Sequence, residues 1–180
     1  CASARHGPRP PGGALRPAVA FHAPMKPPGH ATPSGDRRIA RLLLAALTRA
    51  GCRAVETSAL RTLDMAGDPA RQAAIRDEAE AEVARLVARF RAGPPAAWLT
   101  YHCYWKAPDL LGPPVSRALG IPYLIVEPSI APKRRAGPWA GFARAAEAAI
   151  AAADALLWTT GRDRPALEAA GHAPRMIHLP

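Results

Sequence analysis

Apolar residues along the chain follow two alternating rhythms. Short unbroken runs, AVAFHA (18–23), CRAVETS (52–58), AAWLTYH (96–102), PYLIVE (122–127), ALLWTT (155–160) and the closing PRMIHLP, are bounded by Pro, Gly or polar residues. That is the mark of strands buried on both faces. Between them lie longer stretches in which apolar side chains recur at helical spacing. The first places Ile39, Leu43, Ala46, Leu47 and Ala50 on one predicted face, with Ser34 or Asp36 to cap its start and Gly51 to stop it. Asp68-Pro69 opens a long helix predicted to reach about Arg91, with Ile75, Ala79, Val83, Leu86, Val87 and Phe90 inward. Its other face alternates Arg with Glu and is expected to be solvated. PDLLGPPVSRALG predicts a short helix interrupted near Pro113 and Pro114. Pro138 is expected to start a helix burying Trp139, Phe142, Ala146, Ala149 and Ile150, and RDRPALEAAG gives a fifth.

Six strands alternating with five helices predict an α/β fold, a doubly wound, Rossmann-like parallel sheet with helices on both faces, because each parallel crossover needs a helix. One domain is expected over residues 18–180, preceded over 1–17 by a disordered leader or a misassigned start that has charge and prolines but no apolar segment of secretory type. Such sheets bind ligands beyond the carboxyl ends of their strands. The loops at 24–36, 58–64, 102–108, 127–137 and 159–162 are therefore the expected site.

Charge changes this picture less than its size suggests. The formal net charge is +10, yet only Lys26, Lys106 and Lys133 are lysines among 24 Lys and Arg residues. Beside so much Ala, Gly and Pro, that skew reflects a GC-rich genome, and no reading helix or aromatic ribonucleoprotein motif accompanies it. Nucleic acid is not the expected partner. A basic patch for phosphorylated sugars or for an anionic membrane surface is compatible with the charge. Cys1, Cys52 and Cys103 are too few and too far apart for a disulfide framework, so a cytoplasmic location is expected. No clustered His/Cys spacing suggests a metal, and no run of about 18 apolar residues suggests a membrane span.

The first loop packs four prolines into residues 24–33 and lacks both the dinucleotide and the P-loop glycine signatures. It ends in Ser34-Gly35-Asp36-Arg37 at a helix start, which either attracts an anion or simply caps the helix. Thr100-Tyr101-His102-Cys103-Tyr104-Trp105-Lys106 joins aromatics, an imidazole and a cation, a make-up suited to sugars. His102 either orients or deprotonates a hydroxyl, or is an ordinary hydrogen-bonded residue. Cys103 has no base spaced to activate it. Glu127 brings a carboxylate to the same rim, either to face hydroxyls or to pair with an arginine. Lys133-Arg134-Arg135 either meet phosphate or form a solvated turn. Thr159-Thr160 is expected to cap a helix, and Trp98 and Trp158 to be core.

On these residues the chain resembles the amino-terminal, acceptor-side half of a GT-B glycosyltransferase of the family 4, or group 1, type. The resemblance rests on VAFHAPMKPPGHATPSGDRRIARLLLAALTRAGCRAVETSALRT, on LTYHCYWKAPDLLGPPVSRALGIPYLIVEPSIAPKR, and on the Glu147 helix leading into DALLWTT, nearly all of residues 18–180. It implies transfer of a sugar from a nucleotide-sugar donor to a glycan, lipid or other hydroxyl acceptor, with retention of configuration, no essential metal and no cofactor beyond the nucleotide-sugar co-substrate. It implies that Ser34, Gly35, Asp36 and Arg37 approach the donor's phosphates, where relatives commonly carry Gly-Gly in place of Ser34-Gly35, and that His102 and Glu127 are the catalytic candidates. Contact of such a cytoplasmic protein with the inner-membrane surface is compatible with its charge.

The departure is in length. Relatives continue into a carboxy-terminal donor domain with an Arg/Lys pair and a Glu-x7-Glu stretch, to which no residues here correspond. If these 180 residues are the whole product, no transfer is expected, since nothing would stabilise the leaving diphosphate. Two other classes stay open. One is a stand-alone α/β binding module or remnant, favoured by the abrupt ending; the other is a basic nucleic-acid-associated protein, favoured only by charge.

Overall fold

The computed structural model describes residues 16–180. The expected leader, residues 1–17, lies outside the described residues except for Arg16 and Pro17, and the Pro17 carbonyl already accepts from Arg53 N at 2.9 Å. In chain order the elements are β1 (Ala18–His22), α1 (Gly35–Arg49), β2 (Arg53–Glu56), α2 (Pro69–Phe90), β3 (Ala97–Cys103), α3 (Gly112–Leu119), β4 (Tyr123–Pro128), α4 (Ala140–Ala152), β5 (Ala155–Trp158), α5 (Arg164–Ala169) and β6 (Met176–His178). The six strands form one all-parallel sheet in the order β2-β1-β3-β4-β5-β6. The chain is thus a doubly wound, Rossmann-like α/β fold, as the alternation of runs predicts.

The helices are divided unequally between the two faces. Ala79, Leu86 and Phe90 of α2, Val115 of α3, Ala146, Ala149 and Ile150 of α4 and Leu167 of α5 join Ala20, Trp98, Tyr123, Ile125 and Leu156 in the larger core. Each fully buried aliphatic or aromatic side chain there stabilises the fold by about 1.5–3 kcal/mol. On the other face α1 covers Phe21, Leu99 and Tyr101, while Leu124 and Leu157 are only half-buried. Strand order reverses between β1 and β3, whose following helices α1 and α3 leave on opposite faces. Doubly wound sheets bind their ligands at such a reversal, which here lies at the carboxyl ends of β1 and β3.

Four local expectations are corrected. α1 buries Ala40 and rests on Leu43, Leu44 and Leu47, whereas Ile39, Ala46 and Ala50 point outward. The period is right and the phase is shifted, because IARLLLAAL is apolar nearly all round and fixes no phase by itself. Pro113 and Pro114 do not interrupt α3 but occupy its first turn, where the missing N–H groups cost nothing. α4 begins at Ala140, so Trp139 stands ahead of the helix and half-buried. Trp158, near the sheet edge, is also half-buried, with its ring centroid 4.2 Å from that of His178.

Candidate functional site

β3 and β4 end in the same unusual way. His102 has φ 61° and Glu127 has φ 55°, and among the described residues they are the two non-glycine positions with positive φ. They lie between the paired rungs Tyr101–Val126 and Cys103–Pro128 of adjacent strands. Left-handed backbone costs a residue with a Cβ of the order of 1–3 kcal/mol and persists only where the surroundings impose it. The local effect is a break in the alternation of faces: Tyr101 lies in the core under α1, and Cys103, two residues on, lies in the opposite core. The side chains of His102 and Glu127 are left partly open at the rim.

Four neighbours set their chemistry. Asp36, in the first turn of α1, holds its Oδ1 3.3 Å from His102 Nδ1, with both side chains partly exposed. This contact leaves Nε2 as the imidazole nitrogen free for a ligand. The Tyr104 ring lies 4.8 Å from the imidazole, centroid to centroid, inclined by 32°. Thr159, at the end of β5, donates to Glu127 Oε1 at 2.6 Å. Tyr101 lies beside Glu127, and burial first, then the charges of Glu127 and Asp36, raise its phenol far above the ordinary value. Burial and Asp36 likewise raise Tyr104. Both phenols therefore stay protonated donors across the working pH range.

The residues picked from sequence around the first helix divide between two places. Asp36 turns to His102, while Ser34 accepts from Arg37 N at 3.2 Å as the helix cap. Ser34, Gly35 and Arg37 line an open groove of about 660 Å3 together with Arg38 and Arg41. A Cβ on Gly35 would meet nothing within 4 Å, so the backbone there is open to a ligand. Arg37 also donates through Nε to Pro28 O at 3.3 Å. The proline-rich loop is further held by Arg61 Nε on Met25 O at 3.0 Å and Thr62 N on Pro24 O at 2.9 Å. Thr62 Oγ1 donates in turn to Pro108 O at 2.7 Å, so the loops after β1, β2 and β3 form one stitched wall.

Other expectations resolve separately. Cys103 is buried; its Sγ accepts from Asp109 N at 3.4 Å, and burial drives its thiol far above the ordinary value, so it is no nucleophile. Thr159 serves Glu127 rather than a helix start, since α5 begins only at Arg164. Of the three consecutive cations, Arg135 pairs with Glu147 at 3.0 Å, and Arg134 lies over the Trp105 ring at 4.4 Å from its centroid. Two sets of contacts escaped the sequence reading. Trp139 stacks edge-on against Trp105 at 5.1 Å, and buried Asp109 accepts from Thr100, Tyr123 and the amides of Leu111 and Gly112. Neither is signalled by spacing: the Trp105–Trp139 contact joins two loops, and Thr100 and Tyr123 reach Asp109 from adjacent strands.

A groove of about 700 Å3 opens at the other end of the sheet beside Arg117, Tyr123 and Asp154. Asp154 is already used there, accepting from Tyr123 N at 2.8 Å. Among the described residues no group of three His, Cys, Asp or Glu side chains is placed to hold a metal ion, and no helix is long and apolar enough to cross a membrane. No known family profile matches the chain, and no curated protein matches it significantly.

Proposed function

We propose that this chain is the acceptor-side lobe of a GT-B-type glycosyltransferase, holding a hydroxyl acceptor at His102 and Glu127 while a nucleotide-sugar is presented from a second lobe. The observation that carries this reading is the paired left-handed backbone of His102 and Glu127 at the carboxyl rim, with Asp36 on His102 and Thr159 on Glu127. Strained positions of this kind gather at functional sites, and a rim beside a reversal of strand order is where doubly wound sheets bind ligands. The chemistry assigned to each residue is simple. Asp36 fixes the His102 ring, and His102 Nε2 accepts from and orients the acceptor hydroxyl. Glu127 accepts from a further hydroxyl, and Tyr104 offers a ring for a hexose face. Ser34, Gly35 and Arg37, with the groove they line, face the donor's diphosphate through the α1 amino terminus. Stabilising the departing diphosphate falls to the donor-holding lobe, in the same chain or another.

The test is calorimetric titration of the purified chain with UDP-glucose, with short glycans and with a DNA duplex at two salt concentrations. Glycan binding that is lost in His102→Ala and in Glu127→Gln supports the assignment. A salt-sensitive, sequence-blind DNA response with no sugar response overturns it in favour of a nucleic-acid protein.

A further inference from the structure

Beyond the His102 site the aromatic surface continues into a second cluster that its chemistry leaves unused. Tyr104 lies 6.1 Å from Trp105, and Trp105 lies 5.1 Å edge-on from Trp139, centroid to centroid. Two cations sit over these indoles. Lys106 Nζ is 4.9 Å and 5.5 Å from the centroids of Trp105 and Trp139, and the Arg134 guanidinium carbon is 4.4 Å and 5.6 Å from the same two. An ammonium and a guanidinium thus share one pair of rings. Neither meets a carboxylate within 4.0 Å among the described residues, although Arg135, one residue along, pairs with Glu147.

This arrangement is held from beneath. Trp139 Nε1 donates to Asp64 O at 3.0 Å, and Gln72 Nε2 donates to Pro138 O at 3.0 Å. The turn carrying Trp105 and Lys106 closes through Ala107 N on Tyr104 O at 2.9 Å, and Asp64 N donates to Lys106 O at 2.9 Å. Cation–π attraction holds each charge at the shared indoles, and each, with no carboxylate beside it, calls for an anionic partner. A phosphate meets both demands: guanidinium offers a planar donor fork and ammonium a mobile point charge.

We propose that Lys106 and Arg134, cradled on Trp105 and Trp139, form a subsite for the phosphate of a phosphorylated sugar whose ring lies over Tyr104 and His102. The sugar in this statement rests on the acceptor-lobe reading; the anion rests on the cluster's geometry alone. The acceptor is then a sugar phosphate rather than a neutral glycan.

The experiment follows indole fluorescence and heat as the full chain is titrated with glucose-6-phosphate, glucose, inorganic phosphate and UDP-glucose. Glucose-6-phosphate is expected to bind more tightly than either glucose or phosphate. The double variant Lys106→Gln/Arg134→Gln is expected to weaken that binding by about tenfold or more, with its thermal melt unchanged, while Arg135→Gln leaves it as it was. Equal losses in the double variant and in Arg135→Gln make the effect one of diffuse charge and overturn the subsite, as does inorganic phosphate binding as tightly as the sugar phosphate. Displacement of the sugar phosphate by a DNA duplex also overturns it. A variant-sensitive glucose-6-phosphate signal without any UDP-glucose response keeps the subsite and removes the transferase reading. UDP-glucose binding with no sugar-phosphate signal does the reverse.

Discussion

His102 and Glu127 stand side by side at the ends of β3 and β4, and each bends its strand through a left-handed backbone, φ 61° and φ 55°. A Cβ in that region is strained, and glycine is not. His102→Gly and Glu127→Gly are therefore each expected to raise stability by about 1 kcal/mol, the relieved strain exceeding the entropy that glycine adds to the unfolded chain. In a domain of this size that is a rise of about 2–4 °C in Tm, accompanied by loss of sugar binding. Chemical denaturation checks it. A loss of stability in both variants refutes the claim that the backbone is strained at these two positions.

Two glycines of opposite surroundings give a second test. A Cβ at Gly112 would lie 2.5 Å from Tyr123 Cε2 and collide with the Asp109 carboxylate, whereas at Gly35 it would touch nothing within 4 Å. Gly112→Ala is expected to cost about 2 kcal/mol or more, through overpacking and a disturbed buried carboxylate. Gly35→Ala is expected to be neutral or up to about 1 kcal/mol stabilising, because alanine favours a helix. The melt of Gly112→Ala should fall while that of Gly35→Ala holds or rises, and on the proposed reading nucleotide-sugar affinity is the quantity Gly35→Ala would lower.

Thiol labelling separates the cysteines. Cys103 is fully buried, and burial raises its thiol, so it is expected to resist iodoacetamide in the folded protein and to react only on unfolding. Cys52 is half-buried and should react sooner. Mass spectrometry after pulse labelling reads both sites, and rapid labelling of Cys103 in the native chain contradicts the packing described for β3.

Acid stability turns on His22. The imidazole is fully buried and both ring nitrogens lack a partner among the described residues. Burial lowers its affinity for a proton below the ordinary 6.5, against smaller opposing effects of Asp109, Glu82 and the nearby Ser58 backbone, which is not within hydrogen-bond geometry of either ring nitrogen. The unfolded chain therefore binds more protons than the folded one, and stability falls as pH drops below 6.5 towards the depressed folded value. One proton sets the limit at about 1.4 kcal/mol per pH unit. His22→Leu should flatten that part of the stability curve without weakening the fold at pH 8, since no hydrogen bond is lost. Parallel curves for the two proteins count against it.

Much of this fold was legible because apolar runs and helical spacing are local signals: all six strands and five helices lie where the alternation put them. The phase of α1 was not, since Leu42, 58% exposed, and Leu43 look alike in sequence and differ only in what the sheet presents. At the rim, His102 and Glu127 could be picked out because polar residues directly follow apolar strands. Their strain could not, for φ is set by the neighbouring rungs rather than by the residue. The Asp36–His102 contact spans 66 positions and the Arg134–Trp105 contact joins two loops, so neither leaves a trace in spacing.

The stitching of the first loop has a consequence for ligand capture. Arg37, Arg61 and Thr62 fasten carbonyls of a segment already stiffened by proline, so that wall is ordered before anything arrives. Conformational entropy that a floppy lid would surrender at each encounter has been given up once, during folding. Association should accordingly be rapid and selectivity a matter of shape.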